Sequence, residues 1–160
     1  MDIIIRSAVS SDLPTLKLFE QGIVEAERPY DSTLEADPIS YYDIGEMIAA
    51  RDTEVAVAEL DGELIASGYI QKRRSLDYVS SEYHAYIGFL YVDPAYRGRG
   101  INKQILNYLF DWAQRHNLPE IHLAVYPENS PAVRAYVKAG FKPYLLDMRL
   151  NLDERLHEVD

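Results

Sequence analysis

Two arginines and two glycines alternate at Arg97-Gly98-Arg99-Gly100, directly before an amphipathic helix pattern. The first N–H groups of a helix have no partner within the helix, and the helix dipole adds partial positive charge there, so such a position binds anions. Glycine has no Cβ to keep a ligand away, and arginine adds charge-assisted donors. We therefore predict a phosphate-binding loop that extends to Lys103. A glycine-containing turn with solvated arginines is the alternative.

The loop fits neither of two common nucleotide-binding patterns. The P-loop sequence G-x-x-x-x-G-K-[ST] is absent from the chain. The dinucleotide pattern G-x-G-x-x-G starts at Gly98 and Gly100 but has Lys103 in place of its third glycine. A phosphate ligand of another class is therefore expected, and a binder unrelated to any enzyme family remains an open alternative.

Composition excludes several classes of protein. The 160 residues favour a single domain over 1–160. A net charge of −10 disfavours nucleic acid and anionic membranes as partners, and no apolar run reaches the roughly 18 residues of a membrane span. The chain has no cysteine, which excludes thiolate metal sites and fits a cytoplasmic location. The four histidines show no metal-ligand spacing, so we expect no metal.

Hydrophobic periodicity then gives the elements that must position the loop. Alternating and helical patterns predict the order β-α-α-β-β-β-α-β-α-β, an α/β domain with a mixed sheet. Asp61-Gly62 suits a tight hairpin turn between two of the strands. The predicted strands are 2–9, 53–60, 63–73, 83–92, 120–126 and 141–152, and the predicted helices start near residues 12, 44, 101 and 130.

Two segments together resemble a known family. "LYVDPAYRGRGIN" (90–102) is similar to motif A of the GNAT N-acetyltransferase superfamily, R/Q-x-x-G-x-G/A, with Asn102 where glycine or alanine is usual. "ENSPAVRAYVKAGF" (128–141) resembles motif B of that family. The two motifs have the family's spacing, and the resemblance covers essentially the whole chain, weakest over residues 20–50.

The resemblance implies a single-domain GNAT-like fold with splayed central strands and acetyl-CoA as cosubstrate. The apolar residues Ile87 and Phe89 stand at odd positions, whereas Leu90 and Val92 stand at even positions. A bulge beside Gly88 would explain this shift by one residue; a regular strand buried on both faces is the alternative. The implied cofactor-binding residues are Leu90, Tyr91, Val92, Arg97, Gly98, Arg99, Gly100, Ile101, Asn102, Lys103, Asn129 and Tyr136.

Acetyl transfer to an amine needs an oxyanion donor and benefits from a general acid for the leaving thiolate. Tyr136 matches the family's tyrosine and is the implied acid, and the backbone N–H of Leu90 is the implied oxyanion donor. Taken without the motif, Tyr136 would be a core tyrosine with a satisfied hydroxyl. Asn129 would contact the cofactor near pantetheine or simply start the helix.

The general base is less determined, although an amine with a pKa of about 10.4 must lose a proton. Many family members carry glutamate on the strand before motif A, but the matching positions here hold Tyr86 and Gly88. Glu82 and His84 lie earlier on that strand and are the candidate bases. A water chain without any single base is equally consistent.

The acceptor is expected beside an acidic stretch, residues 20–43, where seven carboxylates accompany only Arg28. We predict that Glu27, Arg28 and Tyr30 contact a primary amine of a small molecule or peptide; a solvated acidic face is the alternative. Exposed strand edges near the C-terminus could pair two copies into a homodimer. A non-catalytic domain that binds acyl-CoA as a sensor or scaffold is the rival function.

Overall fold

The computed structural model describes residues 2 to 155 as one mixed five-stranded sheet with helices on both faces. The sheet order is β1-β2-β3-β4-β5; the first four strands are antiparallel and β5 is parallel to β4. The strands are β1 (Ile4–Ser7), β2 (Thr53–Leu60), β3 (Glu63–Arg74), β4 (Tyr83–Val92) and β5 (Ile121–His122). The helices are α1 (Leu13–Glu27), α2 (Ile44–Ala49), α3 (Ile101–Arg115), α4 (Ser130–Ala139) and α5 (Leu152–Arg155).

Two apolar layers hold the sheet between its helices. Alternate residues of β2 point to opposite faces, so Val55 and Val57 pack with α1 and α2, while Ala56 and Ala58 face α3. The α3 layer is filled by the predicted helical stripe, in which Ile101, Ile105, Leu106, Leu109 and Ala113 are all buried. The sheet is therefore covered by helices on both sides.

The predicted hairpin between β2 and β3 is confirmed. Asp61 and Gly62 form its turn with φ angles of 51° and 82°. Two successive left-handed residues give a primed turn, whose twist matches that of the flanking strands. This long hairpin supplies the partner strand of β4.

The C-terminal part of the sheet is smaller than predicted. The strand predicted over 120–126 is reduced to the two residues of β5, and the strand predicted over 141–152 does not form. Its apolar side chains, including Leu145 at 84% exposure, cover no part of the described core. The alternating pattern is present, but the segment does not pair with β5, the outer strand at that end of the sheet. The mixed α/β architecture in a single domain is otherwise as predicted.

The sequence predicts no membrane span and no metal site. These two predictions can be compared with the structure only over residues 2 to 155. In that range no helix is both long and apolar enough to cross a bilayer. No set of three or more His, Asp or Glu side chains there could hold a metal ion. Residues 1 and 156–160 of the predicted domain lie outside the described part of the chain.

Candidate active site

The Gly-Arg loop leads from the end of β4 into the first turn of α3. A short 3-10 turn, Pro94–Tyr96, comes first, with the Asp93 carboxylate accepting from the amide of Ala95 at 2.9 Å. Gly98 and Gly100 follow with φ angles of 77° and 76°, which a residue with a side chain rarely adopts. A Cβ at either glycine would have no neighbour within 4 Å, so both face open space. The loop thus presents bare backbone to its surroundings.

The amides at the start of α3 are available. Gly100 is the residue before the helix, and the first helical bond runs from the amide of Gln104 to its carbonyl at 3.2 Å. Within residues 2 to 155, no protein acceptor takes a hydrogen bond from the amides of residues 98 to 103. Three basic side chains lie beside them: Arg99 sits 5.4 Å from the ring of Tyr96, and the Arg97 Nε donates to the Val92 carbonyl at 3.0 Å. Lys103 is the third and is exposed.

The predicted bulge in β4 is confirmed. Ser67 on β3 pairs with Tyr91, but Tyr69 pairs with Gly88, so Phe89 and Leu90 together oppose the single residue Gly68. Phe89 adopts a φ of 55°, unusual for a residue with a large side chain. The Ser67 hydroxyl donates to the Phe89 carbonyl at 3.0 Å, which satisfies a carbonyl that the bulge takes out of the ladder. Leu90 therefore leaves the regular register.

On its other edge, away from β3, β4 loses its strand partner before the bulge. β4 and β5 pair only at Ala85–Ile121 and Tyr86–His122. Beyond these pairs the two strands separate within the described chain, and β5 continues as irregular backbone. The separation leaves Leu90 and Val92 without a strand neighbour on that side. A slot of this kind can accept an extended ligand as an added strand.

Tyr136 lies in the second half of α4. The side chain packs against the α3 layer and meets Phe141 edge to face, with ring centroids 6.0 Å apart. Burial raises the pKa of the Tyr136 phenol, and the Glu27 carboxylate raises it further. The phenol therefore keeps its proton throughout the physiological range and can act as a donor.

Glu27 at the end of α1 is the carboxylate shared by several phenols. Its Oε2 accepts from the Tyr41 hydroxyl at 3.1 Å. Burial raises the pKa of Glu27, the Tyr41 bond opposes that rise, and the charge of Asp31 adds to it. Burial raises the pKa values of Tyr41, Tyr126 and Tyr136, and the charge of Glu27 raises each of them further. The side chain predicted to contact substrate is thus half-buried and electrostatically coupled to the predicted acid.

The loop after α1 is held by residues from distant parts of the chain. Asp31 accepts from the Tyr126 hydroxyl at 3.2 Å and from the Arg149 guanidinium at 3.1 Å. These bonds and those from Thr33 hold the pKa of Asp31 well below its usual range. The buried Glu20 accepts from the amides of residues 41 and 42, which fixes the other end of the loop. Two of the acidic residues are therefore structural.

The other two residues predicted to contact substrate have partners within the loop region. The Arg28 guanidinium pairs with the Asp37 carboxylate at 2.6 Å. The Tyr30 ring stacks on Tyr126, with centroids 5.9 Å apart at 26°. Tyr30 therefore packs on Tyr126, one of the phenols whose pKa Glu27 raises, whereas Arg28 extends toward Asp37.

The candidate bases, His84 on β4 and Glu82 just before that strand, lie away from the bulge. His84 precedes Leu90 by six positions on the strand, about 20 Å for extended backbone. Its Nδ1 lies 3.0 Å from the Ser75 hydroxyl and its ring stacks on His122; burial, followed by the charges of His122 and Arg73, lowers its pKa. Glu82 lies still farther along the chain, is exposed, and approaches Arg74 at 3.5 Å. The structure does not bring either residue to Tyr136.

Asn129 caps α4, which is one of the two roles that the sequence suggests for it. Its Oδ1 accepts from the amide of Ala132 at 3.4 Å, which makes Asn129 the capping residue and Ser130 the first residue of the helix. Asn has a side-chain oxygen that accepts such a bond, and it is as good a cap as Ser. The capping role leaves the Asn129 amide group as the part that could face a ligand.

Three residues of this arrangement were not identified from the sequence: Tyr41, Tyr126 and Arg149. The pair Tyr41-Tyr42 in a polar loop is the one local indication, since two aromatic residues there need a surface to pack on. Arg149 and Asp31 are 118 positions apart, and nothing in the sequence couples them. Their contact depends on how the segment after α4 returns to the loop after α1.

Comparison with known proteins identifies the same region. The sequence model of the acetyltransferase (GNAT) family matches residues 20–141. N-alpha-acetyltransferase 30 of Saccharomyces cerevisiae is 43% identical over 56 residues, which are 35% of this chain and only 32% of the yeast protein.

Solved structures share the fold. A tetramutant of a Bacillus halodurans protein gives a TM-score of 0.81 at 23% identity, over 92% of this chain and 99% of that one. A predicted acetyltransferase with acetyl-CoA from Clostridium acetobutylicum gives a TM-score of 0.71 at 23% identity, over 96% and 98% of the two chains. Since the family match contains the loop, the bulged strand and the helix of Tyr136, the chain belongs to the acetyltransferase (GNAT) family, whose members are N-acetyltransferases that use acetyl-CoA.

Proposed function

We propose that this chain transfers an acetyl group from acetyl-CoA to the primary amine of a small molecule or peptide. One observation carries the proposal: the slot beside Leu90 leads directly to the unbonded amides at the start of α3. An extended chain ending in a diphosphate needs this combination of a strand-like surface and an anion site.

The residues present fit acetyl-CoA. The loop from Arg97 to Lys103 offers amides without a protein acceptor and three basic side chains. It also has two glycines at which the space next to the Cα atom is open, and this combination suits a diphosphate. The backbone of Leu90, Tyr91 and Val92 would pair with the pantetheine arm. Asn102 is half-buried at the position where family members usually carry a smaller residue, and its amide can still donate.

The chain supplies groups for the chemistry on both sides of the slot. When bound, acetyl-CoA provides an acetyl group activated as a thioester. Tyr136 holds a proton that it can donate to the leaving sulfur, since its raised pKa keeps the phenol neutral. The amide of Leu90 is the proposed donor to the carbonyl oxygen.

Glu27 is the proposed ligand for the amine. Its raised pKa brings the carboxylate closer to the range in which it can take a proton, and Tyr41 orients it. His84 and Glu82 stay predictions from the sequence alone, because neither has a contact that links it to Tyr136.

Charge and the yeast relative both support a choice of acceptor. The surroundings of Glu27 combine carboxylates with phenols, which suits a cationic amine. The relative's name specifies an N-alpha-acetyltransferase, which favours the amino terminus of a peptide among the two acceptor types. We further propose that the chain acts in the cytoplasm and as a homodimer.

A mass-spectrometric screen tests the proposal. The chain is incubated with acetyl-CoA and a panel of small amines, amino acids and peptides with free amino termini, and products are identified by a gain of one acetyl group. We expect acetylation of at least one class of amine, with the product reduced in Tyr136→Phe. Binding of CoA without acetylation of any panel member would favour the sensor and contradict catalysis.

A further inference from the structure

The half-buried Arg73 near the end of β3 is held by three neighbouring side chains on one face of the sheet. Tyr69, Gln71 and Arg73 lie two positions apart on extended backbone, so they point to the same side, which is the side of α1 and α2. The Arg73 Nη2 donates to the Tyr69 hydroxyl at 3.1 Å, and its Nε donates to the Gln71 Oε1 at 3.1 Å. The central carbon of the guanidinium lies 3.8 Å from the centroid of the Tyr86 ring.

These contacts fix the orientation of the Arg73 guanidinium. Gln71 is itself fixed, because its Nε2 donates to the hydroxyl of the buried Thr53 at 3.1 Å while its Oε1 accepts from Arg73. Two N–H groups of the guanidinium are bonded, and one of its faces is covered by an aromatic ring. A guanidinium held in this way loses little further side-chain freedom when it binds an anion. Arg73 is therefore preorganised as a binding residue.

The charge of Arg73 has no opposite charge beside it in the part of the chain that the structure describes. Four other arginines each contact a carboxylate: Arg6, Arg28, Arg74 and Arg149. Among residues 2 to 155, no carboxylate forms an ion pair with Arg73, and no protein acceptor takes a bond from either N–H group of its Nη1. An oriented guanidinium with open donors binds anions, and its planar fork fits a carboxylate.

The phenol that holds Arg73 lies against the strand of the proposed reaction site. A Cβ at Gly88 would be 2.8 Å from the Tyr69 hydroxyl oxygen, so this oxygen lies close to the backbone of Gly88. Gly88 precedes Leu90 by two positions, which is about 7 Å of extended backbone. A short acceptor with its amine at the level of Leu90 can therefore reach the guanidinium with a second group.

The ring of Tyr42 connects this region with the carboxylate proposed to bind the amine. Its centroid lies 5.6 Å from that of Tyr69 and 5.3 Å from that of Phe89 in the bulge. On its other side Tyr42 contacts the ring of Tyr41, which donates to Glu27. A continuous row of phenols thus passes the bulge, with a carboxylate at one end and the guanidinium at the other. This arrangement suits an acceptor that carries both a positive amine and a negative group.

We propose that Arg73 determines acceptor specificity by binding a carboxylate of the acceptor, so that the chain favours amines that carry a carboxylate a short distance from the reacting nitrogen. The inference rests on the proposed acetyl transfer and narrows its acceptor. An acidic side chain next to the amino terminus of a peptide has this chemistry, and so does the acid group of a short amino acid. A neutral analogue leaves the preorganised donors of Arg73 without an anion, which is how a polar site rejects a substrate.

Matched pairs of acceptors test the inference. One pair consists of peptides with free amino termini that differ only in Asp or Asn at the second position, and the other consists of 4-aminobutyrate and its amide. The measured quantity is the ratio of kcat/KM for the charged member to that for the neutral member. In the wild type this ratio should be about tenfold or more for the pair that is acetylated. In Arg73→Gln it should fall to near one, whereas a merely structural role would lower both members alike and leave the ratio unchanged.

Arg74→Gln is the matched control, because Arg74 points to the other face of β3 and approaches Glu82 at 3.5 Å; its ratio should equal that of the wild type. Arg73→Met still covers the Tyr86 ring and replaces the Gln variant if circular dichroism shows that variant to be misfolded. A wild-type ratio of one or less, an unchanged ratio in the folded Arg73 variant, or acetylation only of amines without a carboxylate would overturn the inference and leave acetyl transfer standing. No acetylation of any amine would contradict the proposed function and this inference with it.

Discussion

The Glu27 carboxylate accepts a hydrogen bond from the Tyr41 hydroxyl at 3.1 Å, and the two residues come from opposite ends of one loop. Burial raises the pKa of Tyr136 on a different helix, and the charge of the same carboxylate raises it further. The proposed base and the proposed acid thus influence each other electrostatically. The predictions that follow address this pair, the strand that forms the slot, and the loop at its end.

Tyr136→Phe should lower kcat while leaving the affinity for CoA nearly unchanged. The substitution removes one hydroxyl but keeps the packing against Phe141. Loss of a positioned general acid costs about 10²–10⁴ in rate. Steady-state kinetics combined with calorimetry measure the two quantities. A kcat equal to that of the wild type would remove Tyr136 from the proposed chemistry.

Glu27→Gln should lower kcat/KM for the amine but raise thermal stability near neutral pH. The pKa of Glu27 is raised in the folded state, so the stability given by its protonated form is lost as pH rises through the folded pKa. Gln keeps the acceptor oxygen without the buried charge. The gain in melting temperature should vanish in acid. Glu25→Gln, on an exposed position of the same helix, is the control, and equal effects of the two would refute a special role for Glu27.

Gly88→Ala should destabilise the fold because a Cβ there would lie 2.6 Å from the buried Tyr69 ring. Overpacking of this kind costs about 1–3 kcal/mol. The matched control is Gly45→Ala on α2, where the nearest atom is 3.7 Å away and alanine gains up to about 1 kcal/mol. Urea unfolding gives both values. Equal stability of the two variants would mean that Tyr69 yields without cost.

Asp12→Asn should destabilise the fold near neutral pH by about 1–3 kcal/mol. The Asp12 carboxylate accepts from Arg6 at 2.8 and 3.0 Å and from the amide of Val9 at 2.8 Å. The Arg6 bonds hold its pKa below the ordinary 3.8, so its stabilisation is present above that value and is lost as pH falls through the folded pKa. Unfolding curves of variant and wild type should therefore converge in strong acid. The exposed Asp2→Asn should show no difference at any pH.

Much of the backbone geometry at the proposed cofactor side could be predicted because its determinants are local. The apolar pattern, which shifts by one residue between Phe89 and Leu90, indicates the bulge, and the glycines before an amphipathic stripe indicate the loop that leads into α3. Both features depend on residues within one short segment, where periodicity and glycine geometry decide the structure.

The acceptor side could not be predicted in the same way. Glu27 accepts a hydrogen bond from Tyr41, and Arg149 donates to Asp31 across 118 positions, so these contacts depend on tertiary folding. The strand predicted over 141–152 was wrong for a related reason. Its alternating pattern is real, but periodicity alone does not show whether a segment pairs with a neighbouring strand.

Calorimetric titration of the chain with CoA tests the central claim most directly. We predict saturable binding that acetyl-CoA competes for. Arg99→Ala should weaken it by about tenfold or more, since a charge-assisted bond is worth roughly 1.5–3 kcal/mol. Arg115→Ala at the opposite end of α3 should bind like the wild type. No heat in the wild type, or equal affinities in the two arginine variants, would contradict the assignment of the loop as the CoA diphosphate site.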